Sequence, residues 1–388
     1  MKVIIMDIGA LIAGLPSNIF LILMVMAGIA IFLVIIIFLI KYLMETAPFA
    51  YVNARVRSME SRLLDEQKFN ELIESAGMSE FIGFLEDTDY GEYIKDSSDM
   101  MSIEKALNTH LAHVYGALAN MSPEKSRKIL KLFEKKFDVQ NIKILLRAKY
   151  VGLNAEETSK LIIPLGTISE NKLRELCETK AVEEVVSGLE GTEYSKILSN
   201  EIATYEQTKK LGAFELSLDK YVLENLWKSV GIEGTVEDIF KEFVGAIIDI
   251  ENLKIILKGK ADGLPSETVL SYVLDAGYEI APWKLKELAD AESIEGVISS
   301  LEGTKYGSII SDKLEEYEKV NSVFIFEHAL DKYLSEVGKK LSLRQPFGVG
   351  PIIGLIISKE QEIKNLKIIT KGKMEGLNSS QIRELLNA

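Results

Sequence analysis

The sequence predicts an all-α protein, with three similar helical units about a pseudo-threefold axis and one transmembrane helix ahead of them. Three observations carry that prediction. Through the body, apolar residues recur at three- and four-residue spacing, as in Glu71 to Phe84 and Val222 to Val230, while strand alternation and Asn-Gly hairpin signals are missing. Two short strings occur three times in the same order. Near the N-terminus, the 22 residues from Ile19 to Ile40 carry no charge and are almost all apolar.

The apolar run comes first. At 1.5 Å per residue it spans about 33 Å, which matches a hydrocarbon core of about 30 Å. It exceeds the core of a cleaved signal peptide, and no small-residue cleavage site follows it. It is also more uniformly apolar than a buried core helix. Lys2 is the only basic residue before it, whereas Lys41, Arg55, Arg57 and Arg62 follow closely. The bias of basic residues toward the cytoplasmic side then predicts a cytoplasmic body on an N-terminal membrane anchor.

The body repeats at domain scale. One string reads Leu85-Glu86-Asp87-Thr88-Asp89-Tyr90, Leu189-Glu190-Gly191-Thr192-Glu193-Tyr194 and Leu301-Glu302-Gly303-Thr304-Lys305-Tyr306. A second begins Asn141-Ile142-Lys143, Asn252-Leu253-Lys254 and Asn365-Leu366-Lys367. Two weaker strings keep the same order, one at Lys68, Lys172 and Lys284, the other around Asn108, Asp219 and Asp331. A period of roughly 110 residues is far longer than that of the common solenoids, and each unit is itself domain-sized. The repeat phase suggests an anchor and connector over 1–50 and units over 51–160, 161–275 and 276–388. No proline- or serine-rich hinge separates them.

Within each copy the second string reads as a helix with a marked end. Its last turns carry Arg147 and Lys149, Lys258 and Lys260, Lys371 and Lys373, and it is followed by Gly152, Gly263 and Gly376, each with a leucine after it. A left-handed glycine followed by an apolar residue closes a helix, and basic residues there offset its dipole. Asn154 with Glu157, and Asn378 with Gln381, have capping-box spacing for a next helix; in the middle copy Pro265 shifts the expected cap to Ser266. The Leu-Glu-x-Thr-x-Tyr string is expected to be a turn between helices, with Glu86, Thr88, Tyr90, Glu190, Thr192, Tyr194, Glu302, Thr304 and Tyr306 as structural residues. Glu86, Glu190 and Glu302 could instead form an acidic triplet around the axis.

Chemistry is sparse. A net charge of −13 disfavours binding to nucleic acid. No phosphate-cradling glycine loop appears, so no nucleotide should bind directly. Of three histidines, His110 and His113 are three apart and could face one metal, but neither recurs in the other copies, and a helical-surface role is expected. The single cysteine, Cys177, has no histidine near it in sequence and reads as a core thiol. No catalytic residue, cofactor or metal site is expected. The pairs Lys143/Arg147, Lys254/Lys258 and Lys367/Lys371 each share a helical face, either to offset the helix dipole or to dock an acidic partner.

The stretch Ala50-Tyr51-Val52-Asn53-Ala54-Arg55-Val56-Arg57, followed by the triple repeat and by Leu85-Glu86-Asp87-Thr88-Asp89-Tyr90-Gly91, resembles the C subunit of archaeal A-type ATP synthases, which is related to the d subunit of vacuolar-type ATPases. The resemblance runs from about residue 46 to the end. It implies a funnel of three helical domains on the cytoplasmic face of a membrane rotor ring, receiving the foot of the central stalk and transmitting torque without chemistry of its own. The apolar N-terminus departs from the soluble members and suggests a lineage-specific anchor at or in the ring's central opening. A membrane-tethered helical scaffold that gathers soluble partners without rotating is the alternative.

Overall fold

The computed structural model describes residues 17–229 and 236–387, and among these every regular element is a helix. Contacts divide the chain into two compact units, one ending at Ala50 and one beginning at Tyr51. In the first, helix α1 (Ser17–Thr46) contains the whole apolar run. Its side chains are exposed all round, from Leu21 and Met24 to Phe38, with none of the apolar window buried. By length and composition this helix is long and apolar enough to cross a membrane. Thr46 Oγ1 donates to Tyr42 O at 2.8 Å, and a 3-10 turn (Ala47–Phe49) with Pro48 in its first positions follows. Lys2, used to orient the anchor, lies outside the described residues.

The second unit opens with α2 (from Ala50 to Glu60), α3 (Glu66–Glu74), α4 (Met78–Glu86), α5 (Gly91–Ile94) and α6 (Met100–Met121). The apolar pattern from Glu71 to Phe84 is thus two helices, broken where Ser75 leaves helical geometry after α3 and extended Gly77 caps α4. A long helix α7 (Glu124–Val151) follows, then α8 (Ala155–Leu161), α9 (Glu170–Cys177), α10 (Val182–Gly188), α11 (Ser195–Thr208) and α12 (Gly212–Lys228). The second long helix, α13 (Val236–Ala261), leads to α14 (Ser266–Tyr272), α15 (Pro282–Asp290), α16 (Ile294–Ser300), α17 (Lys305–Ser311), α18 (Leu314–Val320) and α19 (Phe324–Arg344). The third, α20 (Gly350–Met374), is followed by α21 (Ser379–Asn387).

The ends of the long helices follow the sequence. Gly152, Gly263 and Gly376 have φ of 81°, 65° and 76°, and the leucine after each returns its N–H to a carbonyl five residues back at 2.8–2.9 Å. That is the left-handed closure for which only glycine is free of a Cβ penalty. The reciprocal Asn154–Glu157 and Asn378–Gln381 bonds form at 2.9–3.0 Å. The middle copy differs from expectation. Pro265 itself sits at the start of α14, and Ser266 Oγ donates to Ala289 O at 2.7 Å instead of capping its own helix.

The first two long helices pack beneath the shorter helices that follow them. Val139, Ile142, Leu145 and Leu146 of α7 share a core with Leu173, Val185, Tyr194 and Phe214 from α9 to α12. Ile250, Leu253, Ile256 and Leu257 of α13 do the same with residues from α14 to α19. The third long helix has only α21 after it, and it packs on the beginning of the body. Lys373 Nζ donates to Ile73 O and Ser75 O at 2.8 and 2.7 Å, and Arg383 reaches Glu74 at 2.6 Å. The C-terminal helices therefore supply, to α3–α6, the long helix that every other group of short helices receives from the residues just before it.

Candidate functional site: the cavity among the long helices

A carboxylate on each long helix holds the repeated turn. Tyr194 Oη donates to Asp138 at 2.9 Å, Tyr306 to Asp249 at 3.1 Å, and Tyr90 to Glu362 at 2.5 Å. All three phenols are buried, and desolvation followed by the adjacent carboxylate pushes each well above its ordinary range. The threonines fold the turn by donating to Leu85 O, Leu189 O and Leu301 O at 2.6–2.7 Å. Gly191 and Gly303 have φ of 81° and 82°, whereas Asp87 closes the first turn at φ −82°. Glu86, Glu190 and Glu302 are exposed. Sequence reasoning missed the three acceptors, although the signal was present: each lies three residues before the repeated asparagine, at Asp138/Asn141, Asp249/Asn252 and Glu362/Asn365. Asn141 and Asn252 in turn hold the carbonyls of Ile163 and Leu274 at 2.9 and 2.8 Å.

The histidines belong to the same architecture. Buried His110 packs tilted on Tyr90 with ring centroids 4.4 Å apart, in the place where Tyr221 and Tyr333 meet Tyr194 and Tyr306 edge-on at 5.8 Å. Burial, and then the Lys359 charge, lower His110 to about 3. His113 Nδ1 instead meets Tyr93 Oη at 2.6 Å. Among the described residues no group of three or more His, Cys, Asp or Glu is placed to hold a metal. Cys177 is buried and desolvation raises its thiol.

The basic pairs form a two-rung ladder from each of the first two long helices to a neighbour, and a single rung from the third. Lys143 and Arg147 meet Asp219 and Glu215 of α12 at 2.5 and 2.6 Å. Lys254 and Lys258 meet Asp331 and Glu327 of α19 at 2.5 and 3.0 Å. Lys367 meets Asn108 and Glu104 of α6 at 2.8 and 3.9 Å, and Lys371 meets Glu375 at 3.9 Å. The acids and Asn108 that receive the first two pairs and Lys367 are themselves four apart on the facing helix. Inside, desolvation opposes the Lys254 charge, but Glu251 and Asp331 outweigh it and hold its pKa above the usual value.

One cavity of about 420 Å³ is lined by all three long helices together with α12 and α19. Counted back from the repeated asparagines, its lining falls in register: Leu132, Phe243 and Ile356 nine residues before; Lys136, Ile247 and Glu360 five before; Gln140, Glu251 and Lys364 one before. Positions four apart form one stripe of a helix, so each long helix turns the same stripe to the cavity. One layer is apolar; the others carry charges that differ between copies. Lys136 pairs with Glu360, which also accepts from Tyr115 Oη at 2.5 Å, and Lys364 pairs with Asp331. These groups can bind and position; none pairs a nucleophile with a base.

A helical body whose repeated side chains serve turns, caps and internal ion pairs is that of a structural protein, and its relatives show of which assembly. The family model of the ATP synthase (C/AC39) subunit matches residues 52–385, and the chain belongs to that family, a structural rather than a catalytic part of an ATP synthase. It is 56% identical to the A-type ATP synthase C subunit of Methanocaldococcus jannaschii over 94% of this chain and 92% of the relative. To the C subunit of Methanothermobacter thermautotrophicus it is 40% identical, over 96% of this chain and 97% of the relative. To that of Pyrococcus horikoshii it is 32% identical, over 87% of this chain and 90% of the relative. A match spanning 96% of 388 residues leaves at most about 17 outside it, fewer than the 18 that precede Ile19. The second relative therefore aligns through the whole apolar run, which the family model itself does not include.

Proposed function

We propose that the chain is a central-stalk spacer of an A-type ATP synthase, seating the rotating stalk on the membrane rotor ring and passing torque between nucleotide chemistry and ion translocation. The observation that carries this reading is the register of the cavity. Equivalent stripes of three equivalent helices face one space, as expected of a funnel built around an axle. The units are then 124–229, 236–344, and 51–121 completed by 350–387, in place of the sequence phase. The apolar helix anchors the body on the cytoplasmic side, and neither cofactor nor nucleotide is required. The charge differences among the copies, Lys136 against Ile247 and Glu360, give the axle a single seating angle, which a torque-bearing joint needs.

Purifying the complex through a tag on this chain tests the reading. The expected companions are an oligomeric, very hydrophobic ring protein and the stalk proteins. A photo-crosslinker on a Gln361→Cys variant in the assembled complex should join the chain to a stalk protein. Recovery with stationary components alone would sink the proposal in favour of a static membrane-tethered scaffold.

A further inference from the structure

The turn between α19 and α20 carries an exposed apolar and basic surface that the fold does not use. Leu343 and Phe347 are 72% and 60% exposed, and Tyr51 at the start of the body is 65% exposed. The turn packs beside the first helix of the body: Asn53 Nδ2 of α2 donates to Pro346 O at 3.2 Å, and Arg57 Nη2 to Ser342 O at 3.5 Å, while Val52 and Val56 are buried. Lys339 and Lys340 stand on the same face of α19 as Leu343, and Arg55 stands one turn after Tyr51. All three are exposed, and none makes an ion pair among the described residues. The acids nearby are accounted for: Glu60 pairs with Arg57 at 2.6 Å and Glu242 with Arg344 at 2.6 Å, leaving Glu336 one turn before Lys339. Residues 51–62 and 335–347 together hold six basic and two acidic side chains, a net of +4 in a chain of −13.

We infer that this surface lies on the headgroup layer of an anionic membrane, with Tyr51, Leu343 and Phe347 in the interface and Arg55, Lys339 and Lys340 over lipid phosphates. Aromatic and leucine side chains rimmed by basic ones match that layer, where apolar burial and surface charge act together. Chain length agrees. Ten residues lie between Ile40 and Tyr51, and the eleven Cα steps reach at most about 40 Å, or about 17 Å where helical. The inference rests on the reading of Ile19–Ile40 as a membrane anchor.

The full chain, inserted into vesicles, tests it. Cys177 is buried, so Pro346→Cys and, separately, Ile29→Cys can be labelled with an environment-sensitive fluorophore. Quenching is read with lipids nitroxide-labelled near the headgroup for Pro346 and deep in the acyl chain for Ile29. In phosphatidylcholine vesicles with about 30% phosphatidylglycerol the Pro346 label should be quenched. The docked fraction should fall about tenfold in pure phosphatidylcholine, in about 0.5 M salt, or with Arg55→Ala, Lys339→Ala and Lys340→Ala together. An unquenched Pro346 label beside a quenched Ile29 label overturns the inference and leaves the anchor standing. If neither is quenched, the anchor fails and the inference with it. Quenching indifferent to lipid charge, or protection that arises only when other synthase components are added, also overturns it, the latter in favour of a protein seat.

Discussion

Removing Glu362 should loosen the junction between the two ends of the body. Its carboxylate is 3% exposed and accepts from Lys359 Nζ and Leu64 N at 2.6 Å and from Tyr90 Oη at 2.5 Å. Lys359 is equally buried, and its only other described partner is the Tyr90 ring, 5.1 Å away. Glu362→Ala leaves that ammonium uncompensated in an apolar surround, which costs about 3–5 kcal/mol. Replacing both residues, as Lys359→Met with Glu362→Leu, removes the orphaned charge and leaves only Tyr90 Oη and Leu64 N without an acceptor. The double variant should therefore lose less than Glu362→Ala alone. The body holds 338 residues. With an unfolding entropy of about 2.1 cal/mol/K per residue, 3–5 kcal/mol lowers Tm by about 4–7 °C if it unfolds as one unit. Thermal unfolding of the detergent-solubilised chain reads the shift, and hydrogen exchange should show added opening at residues 64–94. An unchanged Tm, or a double variant worse than the single one, would refute the assignment of Lys359 and Glu362 as a mutually dependent pair.

Tyr194→Phe should cost about 1 kcal/mol, because Asp138 keeps Thr167 as a donor, and Tyr194→Ala about 3–5 kcal/mol; equal melting of all three proteins would contradict a structural turn. Asp249 is pushed up to about 6 by desolvation, against the N–H groups of Glu279 and Tyr278 that favour its charge. With the folded value above the unfolded one, its stabilising contribution is complete below about pH 4 and is lost as pH rises through about 6. Relative to Asp249→Asn, wild type should gain about 3 kcal/mol between pH 7.5 and 4 in denaturant titrations; a pH-independent difference would dismiss the raised value. Protease outside sealed vesicles that hold the cytoplasmic face inward should spare the body, and its digestion would reverse the topology.

What the sequence made legible was what neighbouring residues decide. Helix ends at Gly152, Gly263 and Gly376 follow from local backbone sterics, and the long apolar helix α1 from one uniform run. The partners of the basic pairs were not legible, because Lys143 meets Asp219 across 76 residues and periodicity gives no register between helices. The closure was further out of reach, since Tyr90 finds Glu362 across 272 residues. A repeat also fixes a period and not a phase, so units ending with a long helix and units beginning with one look alike in sequence. The cavity stripe was hidden for the opposite reason. Its positions in the copies carry different residues, such as Lys136, Ile247 and Glu360, and string matching discards them.

The spacer role is tested most directly by reconstituting the synthase with and without this chain and measuring ATP hydrolysis and ion movement in the same vesicles. The account predicts that the complex lacking the chain still hydrolyses ATP and moves no ions, and that adding the chain back restores pumping. Full pumping in its absence would contradict the account.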